Sequence, residues 1–141
     1  MYHFDVSIHA KPSGASAGSP IELLGRSITP LEVHPSSLSQ PMPVSFEQAA
    51  DWLAKLPRMF VEPDGSFVWV STDKNGPWQV DGNLYDREDK LLIVELKGHC
   101  PRQQFDQLLA AFGWPEAELV IQFMKQAVVV AEDEFRRIAS A

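Results

Sequence analysis

At 141 residues, 45% apolar and 22% charged, the chain can build one domain with its own core and is too short for two ordinary ones. Nineteen acidic against twelve basic residues leave a net charge of −7, which disfavours nucleic acid as a partner, since such binding draws on Lys and Arg to neutralise phosphates. The lack of a run of about eighteen apolar residues argues against a membrane span, and the single Cys100 excludes an intramolecular disulfide and a cysteine-built zinc site.

Tyr2, Phe4, Val6 and Ile8 alternate with His3, Asp5, Ser7 and His9, the pattern expected of an edge strand with one wet face. Lys11 to Pro20 is a Gly/Ser-rich connector, and Ile21 to Leu24 is apolar enough for a short strand. Between Ser27 and Val44 the prolines Pro30, Pro35, Pro41 and Pro43 argue against regular structure. The apolar residues Ile28, Leu31, Val33, Leu38, Met42 and Val44 nevertheless predict that this segment lies across the domain. Residues 1–44 are therefore expected to be an N-terminal strand and connector packed on a compact α+β domain of residues 45–141.

Ser45 and Gln48 have the spacing of a capping box, and Phe46, Ala49, Leu53 and Leu56 mark one helical face before Pro57 stops it. Arg58 to Glu62 and Phe67 to Ser71 flank Pro63-Asp64-Gly65-Ser66 as a hairpin. A second hairpin follows, from Trp78 to Lys97. Pro101 suits the start of a helix whose buried face is Phe105, Leu108, Leu109 and Phe112, closed by Gly113, Trp114 and Pro115. Leu119 to Met124 and Val128 to Val130 read as strands, and Glu132 to Ile138 as a last helix with acids first and arginines later. The fold class is α+β: a single domain with a mostly antiparallel twisted sheet, two main helices on one face and a short C-terminal helix. The link from Val94 to Leu119 is long enough for a parallel crossover.

The register of the second hairpin decides the chemistry. Hydrophobic sorting favours Trp78, Val80 and Leu84 with Leu92, Val94 and Leu96 on one face. Gln79, Asp81, Glu95 and Lys97 then share the other, with Leu91 and Ile93 nearer the turn. An Asp on one strand and Glu-x-Lys on the next resembles the metal-dependent nucleases of the PD-(D/E)XK family, over roughly residues 45 to 124, although Val80 stands where that family often has proline. The resemblance implies a catalytic set of Asp81, Glu95 and Lys97, with Mg²⁺ held by Asp81 and Glu95. Chemically, two carboxylates suit a hard cation, and a lysine beside them can orient attacking water. The plain alternative is a solvated sheet face on which Asp, Glu and Lys compensate one another.

Other constellations carry less. His3, Asp5 and His9 share a strand face but are too spread for one ion. Cys100 stands before a helix next to His99, yet neighbouring residues usually point apart. Gly14 and Gly18 form no phosphate loop. In size, acidity and element order from Ser45 onward the chain is also similar in outline to the class I type III secretion chaperones, which bind extended partner segments as dimers. The leading expectation is a non-enzymatic domain, without cofactor, that binds a protein partner or forms a homodimer. No membrane is expected as a partner, and Met-Tyr-His-Phe-Asp lacks the regions of a signal peptide, so the expected compartment is cytoplasmic.

Overall fold

The computed structural model describes residues 1–23, 25–72 and 74–140. The period-two pattern at the N-terminus makes β1 (Tyr2–Ala10), which is paired on both sides. Four connector strands follow: β2 (Ser16–Ala17), β3 (Ile21–Leu23), β4 (Arg26–Ile28) and β5 (Leu31–Glu32). After α1 (Phe46–Ala54) come β6 (Met59–Val61), β7 (Ser66–Val70), β8 (Gln79–Arg87) and β9 (Lys90–Cys100). The chain closes with α2 (Arg102–Ala111), β10 (Leu119–Phe123), β11 (Val128–Ala131) and α3 (Glu132–Ala139). Seven strands form one antiparallel sheet in the order β11-β10-β1-β9-β8-β7-β6. This corrects the edge position expected for Tyr2–Ala10. Alternation reports which face is buried, and a central strand with one polar face alternates just as an edge strand does.

The even residues of β1 point to the helical face. Tyr2 and Phe4 meet Phe105 of α2 at ring-centroid distances of 5.5 and 5.4 Å, and Phe135 of α3 stacks on Phe105 at 5.2 Å. Phe105, Phe112 and Leu53 are fully buried, each contributing about 1.5–3 kcal/mol of transfer free energy before entropy is subtracted. Strands β9 and β10 are both antiparallel to β1, so they run parallel to each other and α2 connects them across it. The expected crossover is present, with β1 between its two strands.

Local signals explain the ends of the elements. Ser45 Oγ accepts from Gln48 N at 3.0 Å while Gln48 Oε1 accepts from Ser45 N at 2.9 Å, the reciprocal box that starts α1. Gly113, at φ 107°, ends the turn after α2 in a conformation that favours glycine. Glu132 and Asp106 both hold Arg136, whose guanidinium lies 5.0 Å over the Trp114 ring and so ties α3 to α2. None of the described helices is long and apolar enough to cross a membrane.

The second hairpin takes the sorted register. Asp81 pairs with Lys97 and Asn83 with Glu95, so Asp81 and Glu95 share a face. Its turn places Glu88 and Asp89 at φ 52° and 66°, the left-handed pair that matches strand twist. A register shift between Tyr85 and Asp86 pairs Tyr85 with Ile93 but Asp86 with Leu91. Leu92 is the extra residue. Beyond the bulge Leu91 turns into the core and is fully buried, whereas Leu92, expected there, is only half-buried.

Residues 11–44 form a strap with more regular structure than its prolines suggest: β2 pairs with β5, β3 with β4, and Pro35–Ser39 is a 3₁₀ turn. Leu24, expected in a strand, lies outside the described residues. The strap clasps α3, with Arg26 Nη1 donating to Ile138 O at 2.6 Å and Thr29 N to Glu134 Oε2 at 2.7 Å. It then crosses the second face of the sheet, where Leu38 O meets His9 Nδ1 at 3.3 Å, and reaches the hairpin, where Met42 N donates to Leu91 O at 2.8 Å. Ile28 and Met42 are buried, and Leu31, Val33 and Leu38 are half-buried. The wet face expected of β1 is corrected in part. Ser7 and His9 are buried, and so are Val120 and Val129, which stand apart from the main core.

Candidate functional site

On the part of the second face that the strap leaves open, the registers set side chains abreast across three strands. Asp5, Lys97 and Asp81 form one row. Ser7, Glu95 and Asn83 form the next, and His3, His99 and Gln79 the row on the other side. Asp81, Glu95 and Lys97 all line one open cavity of about 280 Å³, together with Asp5, Asn83 and Met124. All three residues singled out in the sequence therefore come together on one surface. Lys97 is directly opposite both Asp5 and Asp81, whereas Glu95 is diagonal to Asp81, a relation that separates backbones by about 7–8 Å.

Asp81 and Glu95 each have a bonded neighbour already. Glu95 accepts from the Tyr85 hydroxyl, which in turn accepts from Asn83 Nδ2 at 3.1 Å. That bond to Glu95 favours the neutral phenol and holds the Tyr85 hydroxyl above its ordinary range. Asp81 accepts from Gln79 Nε2 at 3.0 Å. Among the described residues Lys97 forms no ion pair, and the Asn83 side-chain oxygen meets no donor. The row of acid, base and acid compensates charge across strands without further help. Among the described residues no three of His, Cys, Asp and Glu are grouped closely enough to hold a metal ion. A Mg²⁺ bound by Asp81 and Glu95 alone would keep water in its other positions, which this cation tolerates.

The remaining constellations separate. His3 stacks on His99 at 5.2 Å with an 8° interplanar angle, while His9 is buried beneath the strap and bonded to Ser7 Oγ at 2.7 Å. Burial pushes the His9 pKa down. Cys100 ends β9 on the helical face, fully buried, and burial pushes its thiol up to about 12. It is inert as a nucleophile at neutral pH.

Helical periodicity on α1 selected the buried stripe and passed over Trp52, which is 49% exposed. Trp52, Leu56, Ala110 and Trp114 line a second, mostly apolar groove of about 450 Å³ between α1 and α2, edged by Lys55, Asp106 and Gln107. Trp52 lies off the stripe that faces the core, and that mismatch was its visible signal. Phe60, 59% exposed on β6, and Tyr85, exposed beside Glu95, are further large side chains that sequence reasoning missed. Comparison of the chain with family models, curated protein sequences and solved structures found no match.

Proposed function

We propose that this is a non-enzymatic protein-interaction domain whose docking site is the groove between α1 and α2. One observation carries the reading. Trp52 leaves nearly half of its surface in water beside the apolar lining of Leu56, Ala110 and Trp114. A single exposed aromatic needs no explanation, but a tryptophan set in an apolar groove with a polar rim has the composition of a binding hot spot. The rim carries Lys55 and Gln107, so an amphipathic segment with an acidic side chain beside Lys55 would fit it. The test is recovery of bound proteins from the native cell extract, with Trp52→Glu and a remote control, Tyr85→Ser, run in parallel. The reading expects proteins retained by the wild type and the control and lost with Trp52→Glu. An identical set from all three chains would refute it.

A second reading is favoured by a separate observation, the shared cavity of Asp81, Glu95 and Lys97. It is a Mg²⁺-dependent nuclease-like enzyme, in which the two carboxylates would hold the ion and Lys97 would orient water. Against it stand the excess of acidic residues, which repels a polyanionic substrate, and the hydrogen bonds that Gln79 and Tyr85 already give to Asp81 and Glu95. DNA cleavage that is lost in Lys97→Ala would establish it over the first.

A further inference from the structure

We infer that His3 and His99 together form a binding site for Zn²⁺ on the open part of the second face, one row away from the carboxylate cavity. The site does not depend on the groove between the helices.

The backbone sets the pair. Met124 N donates to Asp5 O at 3.0 Å, so the odd residues of β1 turn their peptide groups toward β10 and the even ones toward β9. His3 and His99 are therefore a non-hydrogen-bonded pair of β1 and β9, the kind in which facing side chains approach most closely. Their rings lie side by side accordingly, 5.2 Å apart and 8° from parallel.

Both imidazoles are also uncommitted. Among the described residues no hydrogen bond or ion pair involves either ring. The other two histidines differ, since His9 is bonded to Ser7 Oγ beneath the strap and His34 to Ser36 Oγ, each at 2.7 Å. His3 is exposed and His99 half-buried, so an ion from solvent can reach both.

The donor set selects the ion. Imidazole suits Zn²⁺, whereas Mg²⁺ prefers oxygen. Zn–N bonds of about 2.0–2.1 Å place two tetrahedral nitrogens roughly 3.4 Å apart. The second side-chain torsion of histidine is broad, so rings with centroids 5.2 Å apart can turn their nitrogens together at small cost. Two imidazoles leave the other positions to water, which makes the ion exchangeable. Charge favours a cation as well: the chain carries −7, and the adjacent row of Asp5, Lys97 and Asp81 has two acids to one base. Arg26 shares a cavity with His3, and Arg58 and Lys74 share another with His99, but none of the three lines a cavity with both rings.

The test is calorimetric titration of the full chain with Zn²⁺, with Mg²⁺ as the hard-cation control and metal-free thermal melts to check that each variant folds. The wild type should bind one Zn²⁺ per chain and show no matching heat with Mg²⁺. His3→Ala and His99→Ala should each weaken Zn²⁺ binding by at least about tenfold, since even an outer-shell partner of a metal is worth that much. His34→Ala should bind like the wild type. Saturating Zn²⁺ should raise the melting temperature of the wild type, because the ion ties β1 to β9 only in the folded state, and should leave both His3→Ala and His99→Ala unmoved. A wild type without saturable Zn²⁺ binding overturns the inference. So does binding that survives either single variant, since one histidine acting alone is not this site.

Discussion

Gly82→Ala should be among the most damaging single-methyl changes in this protein. Gly82 is directly opposite Phe67, whose ring lies over it, and an added Cβ would stand 2.1, 2.5 and 2.6 Å from three ring carbons. Carbon atoms pack at about 3.5–4.0 Å, so the ring would have to retreat by roughly 1.4 Å. It has nowhere to go: Phe67 is 2% exposed, within a core packed to crystal density. Overpacking of this kind typically costs about 1–3 kcal/mol, and three simultaneous clashes put this site at the upper end. The intrinsic gain of alanine over glycine in a strand, about 0.5–1 kcal/mol, leaves a net loss of about 2 kcal/mol. An unfolding entropy of about 2.1 cal/mol/K per residue, over 141 residues, is about 0.3 kcal/mol/K, so the melting temperature should fall by about 7 °C. Circular dichroism melts of Gly82→Ala, Phe67→Leu and the double variant provide the assay. Leucine removes the ring atoms that the methyl strikes, so the double variant should be more stable than the sum of the single losses by about 1 kcal/mol or more. A Gly82→Ala melt within about 2 °C of wild type, or strict additivity in the double variant, would refute the packing account.

Other outcomes follow from the same structure. Because burial lowers the His9 pKa below its ordinary 6.5, the folded state resists the proton that the unfolded chain accepts, so stability is whole above about pH 6.5 and declines as the pH falls below it; the urea midpoint should drop between about pH 7.5 and pH 5, and much less so in His9→Gln. Ser45→Ala removes the cap on Gln48 N and should lower stability by about 1 kcal/mol in urea denaturation, with Ser45→Asp close to wild type. Calorimetric titration with Mn²⁺ should reveal no site shared by Asp81 and Glu95, and micromolar binding abolished by both Asp81→Ala and Glu95→Ala would favour the nuclease reading instead.

What the sequence disclosed was local. The capping box at Ser45, the turn at Pro63-Asp64-Gly65 and the face shared by Asp81, Glu95 and Lys97 depend on residues close in the chain or on one hairpin, and all are present. The place of β1 was hidden because strand order is a long-range property: Val6 is flanked by Leu96 and Phe123, and no pattern within ten residues encodes that choice. The bulge that exchanged Leu91 for Leu92 follows from the tight turn at Glu88 and Asp89, which alternation alone does not describe. Leu119-Val120-Ile121 is apolar at every position because β10 is buried on both faces, with α3 against it and the strap against its neighbours β1 and β11, a cause visible only once the strap had a path. The candidate cavity was half legible. Asp81, Glu95 and Lys97 were found by pattern, but Asp5 joins them only because β1 is their neighbour.

The central place of β1 also bears on how the molecule is made. β1 needs β9 and β10 on its two flanks, and both are synthesised much later than β1 itself. The β6 to β9 meander has short loops and can close on itself early, while Tyr2–Ala10 must wait, a high-contact-order step that slows completion of the sheet. Deleting those nine residues would not trim a rim. It would split the sheet into a four-stranded meander and a two-stranded ribbon bridged by α2 and the strap, leaving a slot of strand width lined by the exposed edges of β9 and β10. A synthetic peptide of the same sequence supplied in trans would have both edges waiting for it.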